Sequence, residues 1–378
     1  MIASVADIIN VMRKIAPPYL AEHWDNPGLQ VGRKEWPVKT VWISLDPAYD
    51  VVEAACNQGA DMLITHHPLI FNPLRSVDLS SPIGSIIQLA IHHHLSIYSA
   101  HTNLDSAKGG VNDILSSMLG LEETYSLIKR SDSEQYHLVI ITSAGAQCTI
   151  AASLNDMAAG KTELKTWRIF SEYKSDSIPR APGSGGGGGI EKTIYPVNKI
   201  RIEVVLLRKD IQRCLDQIKR DLKEQNLSED DLSWEVYPAC SYDEHQGLGR
   251  VGSLQRPVTL EAFAQRIKTI LGLSFVKISG KPDLMIHKAA LCSGSGSSLM
   301  KDFLSSGAQV FVSGDLRYHD ARMVEDAHLG LIDIGHFNSE IVVVEALARR
   351  LSKHLTAAGF NQIRIKACSI EKEPFSLV

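Results

Sequence analysis

No apolar run in this 378-residue chain approaches the length of a membrane span, and the opening Met1-Ile2-Ala3-Ser4-Val5-Ala6-Asp7 has neither the basic start nor the apolar middle of a signal peptide. The expectation is a soluble globular protein of the cytoplasm, with no membrane partner. No C-x-x-C pair occurs among the six cysteines, Cys56, Cys148, Cys214, Cys240, Cys292 and Cys368, which suits reduced, packed thiols rather than thiolate metal or redox motifs. Charge of one sign is missing too. The 39 Lys and Arg are mixed among 43 Asp and Glu for a net −4, so there is no basic face for nucleic acid and no polybasic anchor. What is present is apolar content, 44%, enough for two or three cores in a chain too long for one ordinary domain.

Along the chain, the apolar period switches between helix and strand. Residues 4–15 carry Val5, Ile8, Ile9, Met12 and Ile15 on one helical face, stopped by Pro17-Pro18. A strand over 38–45 precedes a helix over 50–58, for which Asp50 and Glu53 offer a capping box and Gly59 a stop. Met62-Leu63-Ile64 forms the next strand, a helix over 82–94 follows, and Leu95-Ser96-Ile97-Tyr98 starts another strand. This βαβα order predicts a mostly parallel sheet. The rhythm breaks after Leu121. Strands at 136–142 and 199–207, a helix at 210–225 and Trp234-Glu235-Val236-Tyr237 make a small α+β unit. Its low-complexity run over 182–189 lacks the flanking strand and helix of a phosphate cradle and reads as a surface loop. From about 255 the alternation resumes, with a helix at 260–271, strands at 288–292, 309–312 and 331–334, and a last helix striped by Ile341, Val344, Ala348 and Leu351. The expected class is α/β, with mixed, largely parallel sheets flanked by helices. A two-part body over 1–126 and 250–378 is interrupted by a small α+β, ferredoxin-like inserted domain over 127–249.

Histidines and carboxylates collect where these strands end. Thr65-His66-His67-Pro68 closes a buried strand, and neutral imidazole is the commonest protein metal ligand. His101-Thr102-Asn103-Leu104-Asp105 closes the next, on the same sheet edge, where ligands gather in open α/β folds. Two later strands end in Ser313-Gly314-Asp315, followed by His319, and in Gly335-His336-Phe337-Asn338-Ser339-Glu340. His336 and Glu340 stand four apart across a helix start, with Asn338 or Ser339 as its cap. By contrast, His92-His93-His94 cannot close on one ion, because successive helical residues point in different directions. The loop Ser293-Gly294-Ser295-Gly296-Ser297-Ser298 either aims backbone N–H groups at an anion or only turns a helix against the sheet. The loop over 22–32 is either a structural loop plugged by Trp24 or a cleft wall in which Asp25 or Asn26 supports the site, and the plug is the simpler expectation.

A structural zinc site favours Cys-rich tetrahedral sets, and no Cys is expected near these loops. Nitrogen and oxygen ligands suit Zn, Fe, Mn, Ni or Co in open sites. Five groups, His66, His67, Asp105, His336 and Glu340, exceed what one ion holding a water needs and match two divalent ions bridged by a carboxylate.

These motifs, in order and context, together with Glu22-His23-Trp24-Asp25-Asn26-Pro27-Gly28-Leu29, resemble the NIF-three-like family, often labelled GTP cyclohydrolase I type 2 homologues. The resemblance covers about 1–126 and 250–378. It implies that His66, His67, Asp105, His336 and Glu340 hold a dinuclear metal centre and that His101 and His319 are cleft residues. It also implies a middle insert similar to PII and CutA domains, left through Gly247-Leu248-Gly249-Arg250-Val251-Gly252, and a homohexamer. The interior of the insert departs from that pattern, so its ligand is left open.

The leading functional expectation is a metal-dependent hydrolase in which a metal-bound hydroxide attacks an unidentified, nucleotide-like substrate, with His101 or His319 as catalytic proton shuttle. The alternative is a non-catalytic metal-binding scaffold with the insert as sensor. Nucleic acid is not an expected partner.

Overall fold

The computed structural model describes residues 3–129, 135–159, 166–174, 198–228, 232–238 and 245–376. They fall into two compact units, Met1–Arg130 with Tyr242–Val378, and Ser131–Ser241. The glycine run over 182–189 lies outside the described residues.

The first unit holds two mixed sheets. One has the order Arg364–Ala367, Thr40–Ser44, Met62–Thr65, Ser96–Ser99, Gly28–Val31, the first four parallel and the last antiparallel. Its central strands are apolar on both faces because helices cover both. Val5–Ile15 and Val342–Ala357 pack on one side through Ile8, Met12, Leu347 and Leu351, and Tyr49–Asn57 and Pro82–His92 on the other through Val52, Ala55, Ile86 and Ala90. The second sheet runs Lys277–Ser279, Gly330–Asp333, Val310–Gly314, Met285–Ser295, Arg250–Thr259, Leu121–Tyr125. Its middle three strands are parallel to one another and the others antiparallel. Alternate residues of Met285–Ser295 serve two cores: Ala289 and Leu291 face the helix Leu260–Ile270, while Ala290 and Cys292 face Met300 and Phe303. The helix Val111–Met118 joins the sheets, with Val111 in the first sheet's core and Leu115 in the second's.

Local signals explain most element ends. Ser4 caps Val5–Ile15 and Asp7 returns the bond, a full capping box. The box expected from Asp50 and Glu53 does not form, because the helix starts earlier, behind Ala48 without a side-chain cap, which leaves Asp50 inside the first turn. Gly59 does follow that helix at φ +67°. The short helix His336–Glu340 begins behind Gly335 with no side-chain cap, so neither Asn338 nor Ser339 plays that part. Instead Asn338 Nδ2 donates to Ile334 O, and Ser339 Oγ donates to His336 O within the same helix.

The second unit runs β-α-β-β-α-β: Gln135–Ser143, Gln147–Ala159, Thr166–Lys174, Asn198–Leu207, Ile211–Glu224, Ser233–Pro238. The four strands form an antiparallel sheet in the order Thr166–Lys174, Asn198–Leu207, Gln135–Ser143, Ser233–Pro238. Ile150 and Leu154 of one helix and Cys214 and Ile218 of the other share a core with Leu138, Ile140, Ile202 and Val204.

Candidate metal centre

The carboxyl ends of the parallel strands of both sheets of the first unit meet in one cleft, so the ligand loops come from two sheets rather than from a single sheet edge. From the first sheet, Met62–Thr65 runs into His66 and His67, and Ser96–Ser99 leads to the helix Thr102–Ser106 that carries Asp105. From the second, Gly330–Asp333 leads to the helix His336–Glu340. Donor atoms of His66, Asp105 and Glu340 lie within 4.8 Å of one another, and so do those of His67, His336 and Glu340. Glu340 is common to both groups and divides its oxygens between them. Oε1 lies 3.6 Å from His66 Nε2, whereas Oε2 lies 3.1 Å from Nε2 of both His67 and His336. His66 Nε2 is 3.7 Å from Asp105 Oδ1. His66 Nε2 is buried with no hydrogen-bond partner, an expensive state for a polar atom unless a bound group completes it.

The far nitrogen of each ring is tethered. His66 Nδ1 bonds the Ala100 carbonyl at 3.0 Å, His67 Nδ1 the Asp46 carboxylate at 2.8 Å, and His336 Nδ1 the Asp315 carboxylate at 2.7 Å. His101 Nδ1 bonds Asp25 at 2.8 Å. Holding Nδ1 in this way fixes ring orientation and turns Nε2 toward the cleft, the arrangement that supports metal-ligating histidines. Asp315 adopts φ +50°, uncommon for a residue with a side chain, at the turn that aims it at His336.

The loop after the strand Met285–Ser295 packs beneath these groups. Ser293 N–H donates to Asn112 Oδ1 and Gly294 N–H to Ser339 Oγ, each at 2.8 Å, so these two N–H groups are spent inside the protein and offer no anion cradle. Ser293 Oγ donates to Asp105 Oδ1 at 3.2 Å. Gly294 sits at φ +63°, and a Cβ there would lie 2.2 Å from Glu340 Oε1, so only glycine fits. Cys292 adjoins the site, contrary to the expectation that no cysteine would. Burial and the nearby Asp105 and Glu340 carboxylates raise its thiol well above the ordinary range, and it belongs to none of the donor groups found among the described residues.

The electrostatics are those of imidazoles packed against buried carboxylates. Burial opposes the Glu340 carboxylate, but His66, His336 and His67 together hold it well below the usual range. Burial pushes Asp105 up, against the pull of His66. Burial also opposes protonation of His67, yet hydrogen bonds to Asp46 and Glu340 lift it to about 10. The bond to Glu340 is the main cause that lifts His336 to about 9. A divalent cation would take the place of these protons and balance the buried carboxylates.

The structure therefore brings His66, His67, Asp105, His336 and Glu340 together, and places His101 beside them, its ring 5.2 Å from that of His66. His319 stands apart from the cluster. It is exposed on the helix Tyr318–Asp326, its ring edge-on to Tyr318 at 5.5 Å, and the group facing the centre from this segment is Asp315. Trp24 is no plug, being 58% exposed, while Asp25 accepts from His101 and from Thr102 N and Oγ1, so the loop over 22–32 is a wall of the site. Asp46 was not marked by the sequence, although it too follows a strand, Thr40–Ser44. A cavity of about 1030 Å³ opens beside His67 and His336, lined also by Asp46, Asp315, Phe275 and Phe375.

This chain is similar over its whole length to proteins of known sequence and structure. A protein of Halalkalibacterium halodurans named "GTP cyclohydrolase 1 type 2 homolog" is 29% identical over 377 residues, covering 100% of both chains. One of the same name from Staphylococcus epidermidis is 30% identical over 98% of this chain and 99% of its own. Among solved structures, a Bacillus cereus protein related to NIF3 is 30% identical, with a TM-score of 0.73 over 100% of this chain and 99% of that one. A Staphylococcus aureus hypothetical protein reaches a TM-score of 0.82 at 26% identity over 100% and 99%. The family described as Duf34/NIF3 (NGG1p interacting factor 3) matches residues 3–374, and this chain belongs to it.

Proposed function

We propose that this protein is a hydrolase whose centre takes two divalent ions, one held by His66, Asp105 and Glu340 and the other by His67, His336 and Glu340. The observation that carries this reading is the division of the Glu340 oxygens between two donor groups, which a third group of His66, His67 and His101 overlaps. The nitrogen and oxygen donors suit Zn, Fe, Mn, Ni or Co. Such a pair, if bound there, would supply an acidified water and stabilise charge developed in a displacement. The chain's own residues do the rest. Asp46, Asp315 and the Ala100 carbonyl fix the rings, and His101, oriented by Asp25, holds or passes a proton at Nε2. His319, exposed and apart, has no role in this reading. The cavity beside His67 and His336 is the route for substrate. The relatives' name makes GTP the first substrate to assay, with phosphoesters and amides beside it.

The same proposal includes three wider parts. The β-α-β-β-α-β order supports a ferredoxin-like, PII-like regulatory insert. Buried free cysteines, Cys56, Cys214, Cys292 and Cys368, suit the reducing cytoplasm. The assembly is a homohexamer, checked by light scattering. The primary test is elemental analysis of protein purified without chelator and then supplied with metal. The expected result is about two equivalents per chain, reduced below one in Glu340→Gln. One equivalent in the wild type, or two retained by the variant, contradicts the proposal.

A further inference from the structure

Two large aromatic side chains stand in water at the rim of the centre: Trp24 is 58% exposed and Phe71 46%. Leaving them there forgoes hydrophobic stabilisation, yet they are not on loose loops. Asn26 Nδ2 donates to Ile70 O at 2.7 Å, Gln30 Nε2 to Asn26 O at 2.7 Å, and Ile70 N to Gln30 Oε1 at 3.1 Å. These bonds stitch the segment that carries Trp24 to the one that carries Phe71. The two rings lie 5.7 Å apart, and both meet His101 at steep angles, Trp24 at 6.0 Å and Phe71 at 6.5 Å. His101 in turn lies 5.2 Å from the His66 ring and 5.5 Å from that of His67. The exposed aromatic surface is thus rigid and continuous, through His101, with the donor groups. The adjoining Asp25 carboxylate is already engaged by His101 and Thr102, so the wall offers a π surface rather than a charge.

A braced π surface beside a reacting centre binds flat rings by offset stacking, tolerant of ring identity and indifferent to ring-less compounds. We propose that Trp24 and Phe71 are specificity-determining residues that hold a planar heteroaromatic ring of the substrate, of the purine, pteridine or pyridine class, on the His101 side of the centre. The inference rests on the metal-centre reading and narrows its substrate to ring compounds. Trp24 also supplies the readout, because a ring stacked on an indole quenches its fluorescence.

The test uses the full chain, loaded with metal and checked by elemental analysis before any ligand is added. Guanosine, a pterin and nicotinamide are titrated separately, with ribose as the ring-less control, by calorimetry and by tryptophan fluorescence. At least one ring compound is expected to bind and to quench, while ribose does neither. Binding should weaken about tenfold or more in Trp24→Ala and Phe71→Ala and stay within about threefold in Trp24→Phe, with the wild-type metal content in all three variants. Binding by none of the ring compounds, or unchanged binding in Trp24→Ala, overturns the proposal while leaving the metal reading intact. Dissociation of the assembly in Trp24→Ala and Phe71→Ala, seen by sedimentation, overturns it too, by assigning the pair to a subunit contact. A wild type that takes up no metal overturns both readings.

Discussion

Asp46 and Asp315 decide where the imidazoles of His67 and His336 point. Each carboxylate grips Nδ1 of its partner at hydrogen-bond distance, whereas the His66 ring is held by a backbone carbonyl that no substitution removes. Asp46→Ala and Asp315→Ala are therefore expected to weaken one of two bound ions by about tenfold to a hundredfold and to spare the one at His66 and Asp105. Dialysis against a mild chelator, followed by elemental analysis, checks this: one equivalent should leave early. Loss of both together, or of neither, contradicts the assignment. The donors were legible in the sequence because they sit in His-bearing motifs directly after apolar strands. Asp46 was not, since a lone Asp before Pro47 looks like any turn. Trp24 was misread because nothing in a sequence distinguishes an aromatic that fills a core from one held out in water.

At the scale of elements, the strand Arg250–Thr259 enters the body with a fully buried arginine. The Arg250 guanidinium pairs with Asp113 and donates to the carbonyls of Gly247, Gly249 and His245, which ties the two-stranded ribbon Ile128–Lys129 and Gly247–Leu248 to the helix Val111–Met118. Arg250→Met would strand the Asp113 charge and several carbonyls, and removing one partner of a buried pair costs about 3–5 kcal/mol. Urea unfolding measures it, and a loss below about 1 kcal/mol, the worth of a surface pair, contradicts the clamp. Sequence reading took this segment as a glycine-rich return, because its burial depends on contacts with residues more than a hundred positions earlier. Elements with a clean period, such as Val5–Ile15 and Ile211–Glu224, were legible. Gln147–Ala159 was missed, because Ala and Ser dilute its apolar stripe.

For the whole molecule, the decisive feature is that two sheets each supply part of one centre. The order of motifs along the chain does not reveal this, because a strand-end position says which edge a residue occupies and not which sheet faces it. The arrangement makes metal, protons and stability interdependent. With folded values of about 10 for His67 and about 9 for His336, both rings carry protons at pH 7 in the metal-free protein and must lose them to ligate. Metal uptake at pH 7 should release protons, those of His67 and His336 at the least, since His66 is raised too, seen by calorimetry in buffers of different ionisation enthalpy, and affinity should tighten toward pH 9. Both folded values lie above 6.5, so these rings stabilise the metal-free fold fully below about pH 6.5, and that contribution is lost as pH rises through 9 to 10. The unfolding midpoint of metal-free protein should accordingly fall between pH 7 and pH 10. Uptake without proton release contradicts this picture.

The proposal that Glu340 bridges two ions is tested most directly by X-ray absorption spectroscopy on the metal-loaded protein. The expected spectrum has a first shell of nitrogen and oxygen only, with a metal–metal vector at about 3.5–4 Å that disappears in Glu340→Gln. A wild-type spectrum without that vector, or a first shell containing sulfur, would contradict a carboxylate-bridged pair.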